Sequence, residues 1–257
     1  YPIMVRTVPG VSELAQGNLK IDDLHAVKIN DLLGRDLVPP NQDFLKLNIY
    51  DKVVMVSGAG GSIGSELCRQ IIQLQPKHII LFEQNEFSLY TIDQELQEFV
   101  GNSSNIIITP ILGSVNDRDL VERVCRNFSV QTIYHSAAYK HVPMIELNIF
   151  SGIENNIFGT LTCAQAAIAA NVEVFVLIST DKAVRPTNIM GATKRFAELI
   201  LQAFSKNFEN KNIKTNFSMV RFGNVLDSSG SVIPLFKRQI KNGGPVTVTD
   251  PEIIRYF

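Results

Sequence analysis

Net charge is almost missing from this chain. Across 257 residues, 24 lysines and arginines are set against 25 aspartates and glutamates, leaving a formal charge of −1. No basic field is available to attract nucleic acid or an anionic membrane surface. Cysteine is scarce as well: Cys68, Cys125 and Cys163 fall inside helix-like segments, in neither paired nor CxxC spacing. That excludes a disulfide framework and leaves buried thiols of a reducing compartment. The histidines, His25, His78, His135 and His141, show no metal-ligand spacing, so no metal is expected. No stretch is long and apolar enough to span a bilayer, and no signal peptide, internal repeat or low-complexity segment occurs.

What remains suits a globular enzyme-sized unit. With 45% hydrophobic and 19% charged residues the chain can bury a large core, as one sizeable domain plus an appendage. Residues 1–50 lack clear periodicity and read as an arm or connector, with the proline-bearing run Asp36–Asp43 near its end. Residues 51–257 read as the main domain. Both ends look cut: Tyr1-Pro2-Ile3-Met4 has no initiator methionine, and Asp250–Phe257 stops inside the start of a new element.

From Lys52 the pattern becomes regular. Short apolar runs at Val53–Ser57, Ile79–Phe82, Ile106–Ile108, Thr132–Tyr134 and Val174–Ile178 read as strands. Helical segments lie between them: one ending near Leu74, then Phe87–Phe99, Leu120–Phe128, and a long small-residue helix carrying Gly159, Ala164 and Ala166. Strands alternating with helices imply right-handed crossovers, hence an α/β fold: a Rossmann-like doubly wound parallel sheet with helices on both faces.

Gly58-x-x-Gly61-x-x-Gly64 stands between the first of these strands and its helix. Glycine lets the backbone turn tightly and approach a pyrophosphate, and the helix opened by Ser62 and Ile63 aims its positive dipole end at the phosphates. Glu83 closes the second strand. A carboxylate there can accept both hydroxyls of an adenosine ribose and would repel a 2′-phosphate, favouring NAD over NADP.

The other informative stretch leaves the carboxyl end of the Val174–Ile178 strand as Ser179-Thr180-Asp181-Lys182, with Lys194 further on and helical spacing from Arg195 to Asn207. In open α/β sheets ligands bind at that end of the strands. Four reactive side chains in a row point to chemistry rather than to a polar loop with a helix cap.

The glycine spacing resembles the short-chain dehydrogenase/reductase superfamily. His135-Ser136-Ala137-Ala138 is similar to its extended branch, where Ala137 and Ala138 would flank the adenosine, and Asn155-Asn156-x-x-Gly159-Thr160 to its central helix. Ser114, followed by Val115, stands where many relatives carry an aspartate for the adenine amine. The superfamily's tyrosine four residues before a lysine is missing altogether: Met190 occupies that place before Lys194, and a thioether cannot accept an alcohol proton. Thr180-Asp181-Lys182 resembles the triplet of nucleotide-sugar 4,6-dehydratases. Asn188-x-Met190-Gly191-Ala192-Thr193-Lys194, Tyr139-Lys140-His141-Val142-Pro143 and Val220-Arg221-Phe222-Gly223-Asn224-Val225-Leu226 are similar to the membrane-anchored bacterial UDP-N-acetylglucosamine 4,6-dehydratases of polysaccharide and glycan biosynthesis. Asp227 departs from the glycine expected there.

That resemblance implies dehydration of a UDP-hexosamine without net redox change, through transient oxidation of sugar C4 by bound NAD. Asp181 would then be the acid for the C6 hydroxyl and Lys182 the base for the C5 hydrogen, an adjacent donor and acceptor as such an elimination needs. Thr180, with Asp181, would handle the C4 hydroxyl, and Lys194 would hold the nicotinamide ribose. Asn224, Val225 and Ser231 would meet the UDP moiety, with Lys140 and His141 as further substrate contacts or helix caps. The resemblance further implies a homo-oligomer held at the cytoplasmic face of a bacterial inner membrane by segments before Tyr1, and a substrate cap beyond Phe257. Against it stand a UDP-hexose 4-epimerase or reductase, which needs no acid–base pair aimed at C5 and C6, and a non-catalytic dinucleotide-binding regulator.

Overall fold

The computed structural model describes residues 6–7, 25–26, 38–101, 105–207, 214–225, 232–248 and 252. Two compact units separate, Tyr1–Pro40 (with Phe257) and Asn41–Tyr256. In the first, β1 (Arg6–Thr7) pairs antiparallel with β2 (His25–Ala26). The second opens with α1 (Gln42–Lys46), capped by the Asn41 side chain.

The remainder of the second unit alternates as the apolar spacing demands. Its strands are β3 (Val53–Ser57), β4 (His78–Glu83), β5 (Ile107–Leu112), β6 (Thr132–His135), β7 (Val174–Thr180) and β8 (Asn216–Phe222). Between them run α2 (Ser62–Gln73), α3 (Glu86–Val100), α4 (Arg118–Asn127), α5 (Val142–Leu147), α6 (Ile149–Ile153), a π-helical turn (Glu154–Phe158), α7 (Gly159–Ala169) and α8 (Ile189–Asn207), with α9 (Val232–Lys241) after β8. The sheet is six-stranded and parallel throughout, in the order β5-β4-β3-β6-β7-β8. The chain runs outward from β3 to β5, then returns to β6 on the other side of β3. Strand order therefore reverses between β3 and β6, and a crevice opens at their carboxyl ends.

Because side chains alternate along a strand, the sheet has two cores. Met55, Ile80, Phe82, Ile133, Phe175 and Leu177 pack with residues of α4, α7 and α8 on one face. Val54, Val56, Ile79 and Leu81 pack with α2 and α3 on the other. The small residues of α7 allow close approach: Cys163, Ala164, Ala166 and Ala167 are all fully buried. The three cysteines are buried and unpaired, and burial raises each thiol pKa.

Four details depart from the sequence pattern. β5 continues through Pro110, which the sheet tolerates because β5 is an edge strand and needs no amide donor on its free side. The expected long helix is interrupted by the π-helical turn that carries Asn155 and Asn156. β7 is buried on one face only, with Val174, Val176 and Ile178 partly exposed on the other. Helix α8 begins at Ile189, ahead of Arg195, because the Asn188 side chain accepts the Gly191 amide (2.8 Å) and Glu146 accepts that of Ile189 (2.8 Å). Met190 and Lys194 consequently stand on the first turns of a helix. Among the described residues no helix is long and apolar enough to cross a membrane, and no cluster of metal-ligating side chains occurs.

Candidate active site

The crevice at the strand-order reversal begins with the glycine loop. Gly58 has φ +69°, and a Cβ there would lie 2.7 Å from the Ala137 backbone. A Cβ on Gly64 would overlap the Gly58 carbonyl oxygen. Those two glycines are thus demanded by the turn and by packing of α2 against it. Gly61 is the N-cap of α2 and places no side-chain cap on its amides, so the positive end of the helix faces the crevice. An approaching pyrophosphate would meet backbone there.

Glu83 sits at the end of β4, 8% exposed. Its carboxylate accepts backbone amides from Gly60 (3.1 Å), Gln84 (2.9 Å) and Asn85 (3.0 Å). The side chain is thereby fixed and also ties down the glycine loop, a second task that its spacing in the sequence does not reveal. Glu83 lines a recess of about 240 Å³ with Val115, Ala137 and Ala138. Ser114 lies next to this recess rather than in its lining, and its hydroxyl accepts the Asn116 amide ahead of α4.

A larger cleft of about 630 Å³ continues past the glycine loop along the ends of β6, β7 and β8. Gly58, Gly61, Ser62, Ile63 and Gly64 form its floor, and Lys140, His141, Thr180, Lys182, Met190, Lys194, Asn224 and Val225 its walls. His141 occupies the N-cap position of α5 without a side-chain capping bond, so its ring is left to the cleft. Asp181 is exposed and is not among the lining residues. Ser231 falls outside the described residues.

Behind the cleft wall a buried polar chain sets the geometry. Thr160 Oγ1 donates to the Asn156 carbonyl (2.8 Å), so toward His135 Nε2 (3.1 Å) it can only accept. His135 therefore carries its proton on Nε2 and accepts from the Ser57 hydroxyl on Nδ1 (2.7 Å). Burial, aided by the charge of Lys194, pushes its pKa down to about 3, and the ring is neutral. Asn156 accepts the Tyr139 amide (2.8 Å) and donates to the Tyr139 carbonyl (3.0 Å) and to Thr193 Oγ1 (3.0 Å). One amide thus clamps the loop after β6 to the first turns of α8. Such π-helical turns recur at functional sites. Lys194, 4% exposed, has its pKa lowered by burial to about 8 against the opposing pull of Glu198.

In the triplet, Asp181 Oδ1 accepts from both Thr180 Oγ1 (2.9 Å) and Lys182 Nζ (3.0 Å). Partial burial raises the Asp181 pKa, but these hydrogen bonds outweigh it and hold the carboxyl below its usual range. In the resting arrangement the two form an ion pair, and Lys182 is among the residues that line the cleft.

A profile of polysaccharide biosynthesis proteins matches residues 54–257. The chain belongs to this family. The capsular polysaccharide biosynthesis protein CapD of Staphylococcus aureus is 47% identical over 250 residues, covering 97% of this chain and 41% of that protein. A UDP-glucose 4-epimerase of Rickettsia canadensis is 33% identical over 208 residues, covering 80% of this chain and 59% of the epimerase. Among solved structures, Pen from Bacillus thuringiensis superposes with a TM-score of 0.71 at 37% identity, covering 79% of this chain and 62% of that one. The chain thus spans about two fifths of the length of its S. aureus relative.

For this family member the structure adds cleft residues that the motifs did not mark. Met144, Asn148 and Ser151 line the wall formed by α5 and α6. Their i, i+4, i+7 spacing after His141 was the available signal. Tyr139 borders both the recess and the cleft.

Proposed function

We propose that the protein is a nucleotide-sugar 4,6-dehydratase that uses NAD and acts on UDP-N-acetylglucosamine to supply surface polysaccharide or glycan assembly. The observation that carries this reading is the Thr180–Asp181–Lys182 hydrogen-bonded group at the mouth of β7, set beside a cleft whose tyrosine position is filled by the buried Met190. Dehydration needs one proton delivered to the C6 hydroxyl and another taken from C5. The proton that Asp181 must give is already on Lys182 Nζ, 3.0 Å away. A shift along that bond, against the resting preference for the ion pair, would leave a neutral amine as base and a carboxylic acid beside it as donor. Thr180, hydrogen-bonded to Asp181, orients the C4 hydroxyl.

The residues present fit NAD. Gly58–Gly64 and the N-terminus of α2 would hold the pyrophosphate, Glu83 the adenosine ribose, Ala137 and Ala138 the adenosine, and Lys194 the nicotinamide ribose. When bound, NAD supplies reversible oxidation at sugar C4. Because the Glu83 carboxylate is already fixed by three amides, it presents negative charge where NADP carries a phosphate. NAD is therefore expected to bind well ahead of NADP, and Glu83→Ala to narrow the gap, at a cost to NAD of roughly ten- to a hundredfold. Equal affinities in the unaltered protein, measured by calorimetry, would overturn the cofactor assignment.

The likeness to a UDP-glucose 4-epimerase favours a second reading, inversion at C4 of a UDP-hexose. An epimerase returns a product of unchanged mass and has no use for the Asp181–Lys182 pair. Incubation of the full-length protein with UDP-glucose and UDP-N-acetylglucosamine, followed by mass analysis, separates the two.

A further inference from the structure

Glu198 lies one helical turn beyond Lys194 on α8 and is completely buried. Its carboxylate collects four donors: Ser179 Oγ (2.7 Å), Arg221 Nε (2.8 Å), Arg221 Nη2 (2.6 Å) and Arg195 Nη1 (2.9 Å). Ser179 and Arg221 are register partners at the ends of β7 and β8. Directly after Ser179 come Thr180, Asp181 and Lys182. Directly after Arg221 come Phe222, Gly223, Asn224 and Val225, all of which line the cleft. A single buried carboxylate therefore binds the roots of two separate segments to the helix that carries Met190 and Lys194.

We propose that Glu198 is a positioning residue: through Ser179 it fixes the reactive triplet, and through Arg221 it fixes the Phe222–Val225 loop, setting the two walls of the sugar half of the cleft against one another. This rests on the nucleotide-sugar reading only for its effect on turnover. Two partly exposed guanidinium groups share one buried carboxylate, and charge-assisted hydrogen bonds of this kind are directional. An ordinary core contact could hold α8 on the sheet without reaching both strand ends.

Two single-link variants separate the two walls. Ser179→Ala removes the link to β7 alone, and Ser179→Thr keeps the hydroxyl. Arg221→Gln removes the link to β8 alone. In the full-length protein, Ser179→Ala is expected to raise backbone hydrogen–deuterium exchange across Thr180–Val184 while leaving Phe222–Val225 unchanged. With UDP-N-acetylglucosamine its kcat should fall roughly ten- to a hundredfold with KM within about threefold, and Ser179→Thr should restore it. Arg221→Gln should show the reverse exchange pattern, with the loss falling on KM. Glu198→Gln should loosen both segments; if it fails to fold, the two single-link variants still decide the matter. Unchanged exchange in both segments, or a uniform rise across the whole sheet, would overturn the proposal. Segment-specific exchange in a protein that leaves every nucleotide sugar unaltered would uphold the anchoring and refute the proposed activity, so the two failures are distinct.

Discussion

Lys182→Ala is expected to abolish exchange of the sugar C5 hydrogen with solvent deuterium and to lower turnover by at least a thousandfold. Lys182 is the triplet's amine and lines the cleft, while its neighbour Asp181 turns outward to receive it at 3.0 Å. On the proposed mechanism, loss of the amine removes both the base and the stored proton. Asp181→Asn should behave differently. Asparagine still accepts the Thr180 hydroxyl, so the C4 hydroxyl remains oriented, but no acid is left for the C6 leaving group. Oxidation at C4 should then proceed further than elimination, because Lys182 has lost the carboxylate that takes its proton, and release of water fails. Combined, the two substitutions should cost little more than the worse one alone, because both groups serve one elimination. The check is proton NMR of recovered UDP-sugar after incubation in deuterated water. Deuterium arriving at C5 at the unaltered rate in Lys182→Ala would pass the base to another cleft residue, with His141 the first to test.

Lys194→Met is expected to make the ligand-free protein more stable while destroying its use. The lysine is almost wholly buried, and its pKa is lowered from 10.5 to about 8. That displacement corresponds to roughly 3 kcal/mol against the charged form in the fold. The sign follows from proton counts: between about pH 8 and 10.5 the unfolded chain binds the proton that the folded chain has released. Native stability therefore rises with pH through that window, and below it the full cost of burying the charge is present. Methionine removes that cost. At pH 7 the variant should gain up to about 3 kcal/mol, a rise of several degrees in melting temperature, and the gain should fade by about pH 10.5. Dinucleotide affinity should fall at least tenfold in the same protein. Thermal unfolding at the two pH values together with calorimetric titration of NAD would check both halves. A variant less stable than the parent at pH 7 would show that the ammonium is favourably held and that its burial serves folding.

The parts of this molecule visible in the sequence are those whose signal is local. The glycine loop, Glu83 and the triplet are each specified within a few residues of a strand end, and strand-end position is what gathers them at the order reversal. Helix α8 starts ahead of the helical spacing at Arg195 because its caps are Asn188 and Glu146, the latter supplied by α5. His135 offers no clue to its role except a strand position. Its partners Ser57 and Thr160 come from β3 and α7, brought together only by the parallel crossovers. Glu198 was legible in part: its spacing from Lys194 puts both on one helix face, but Arg221 reaches it only through the β7–β8 register. Ser114 shows the converse: the motif marks it for the cofactor, while its hydroxyl also accepts the Asn116 amide in a local turn that the motif does not signal.

The most direct test is one incubation of the full-length protein with UDP-N-acetylglucosamine and NAD in deuterated water, read by mass spectrometry and NMR. The expected product is lighter than the substrate by one water and carries solvent deuterium at C5. A product of unchanged mass inverted at C4, with no deuterium at C5, would contradict the dehydratase and leave the Asp181–Lys182 pair without the role argued for it.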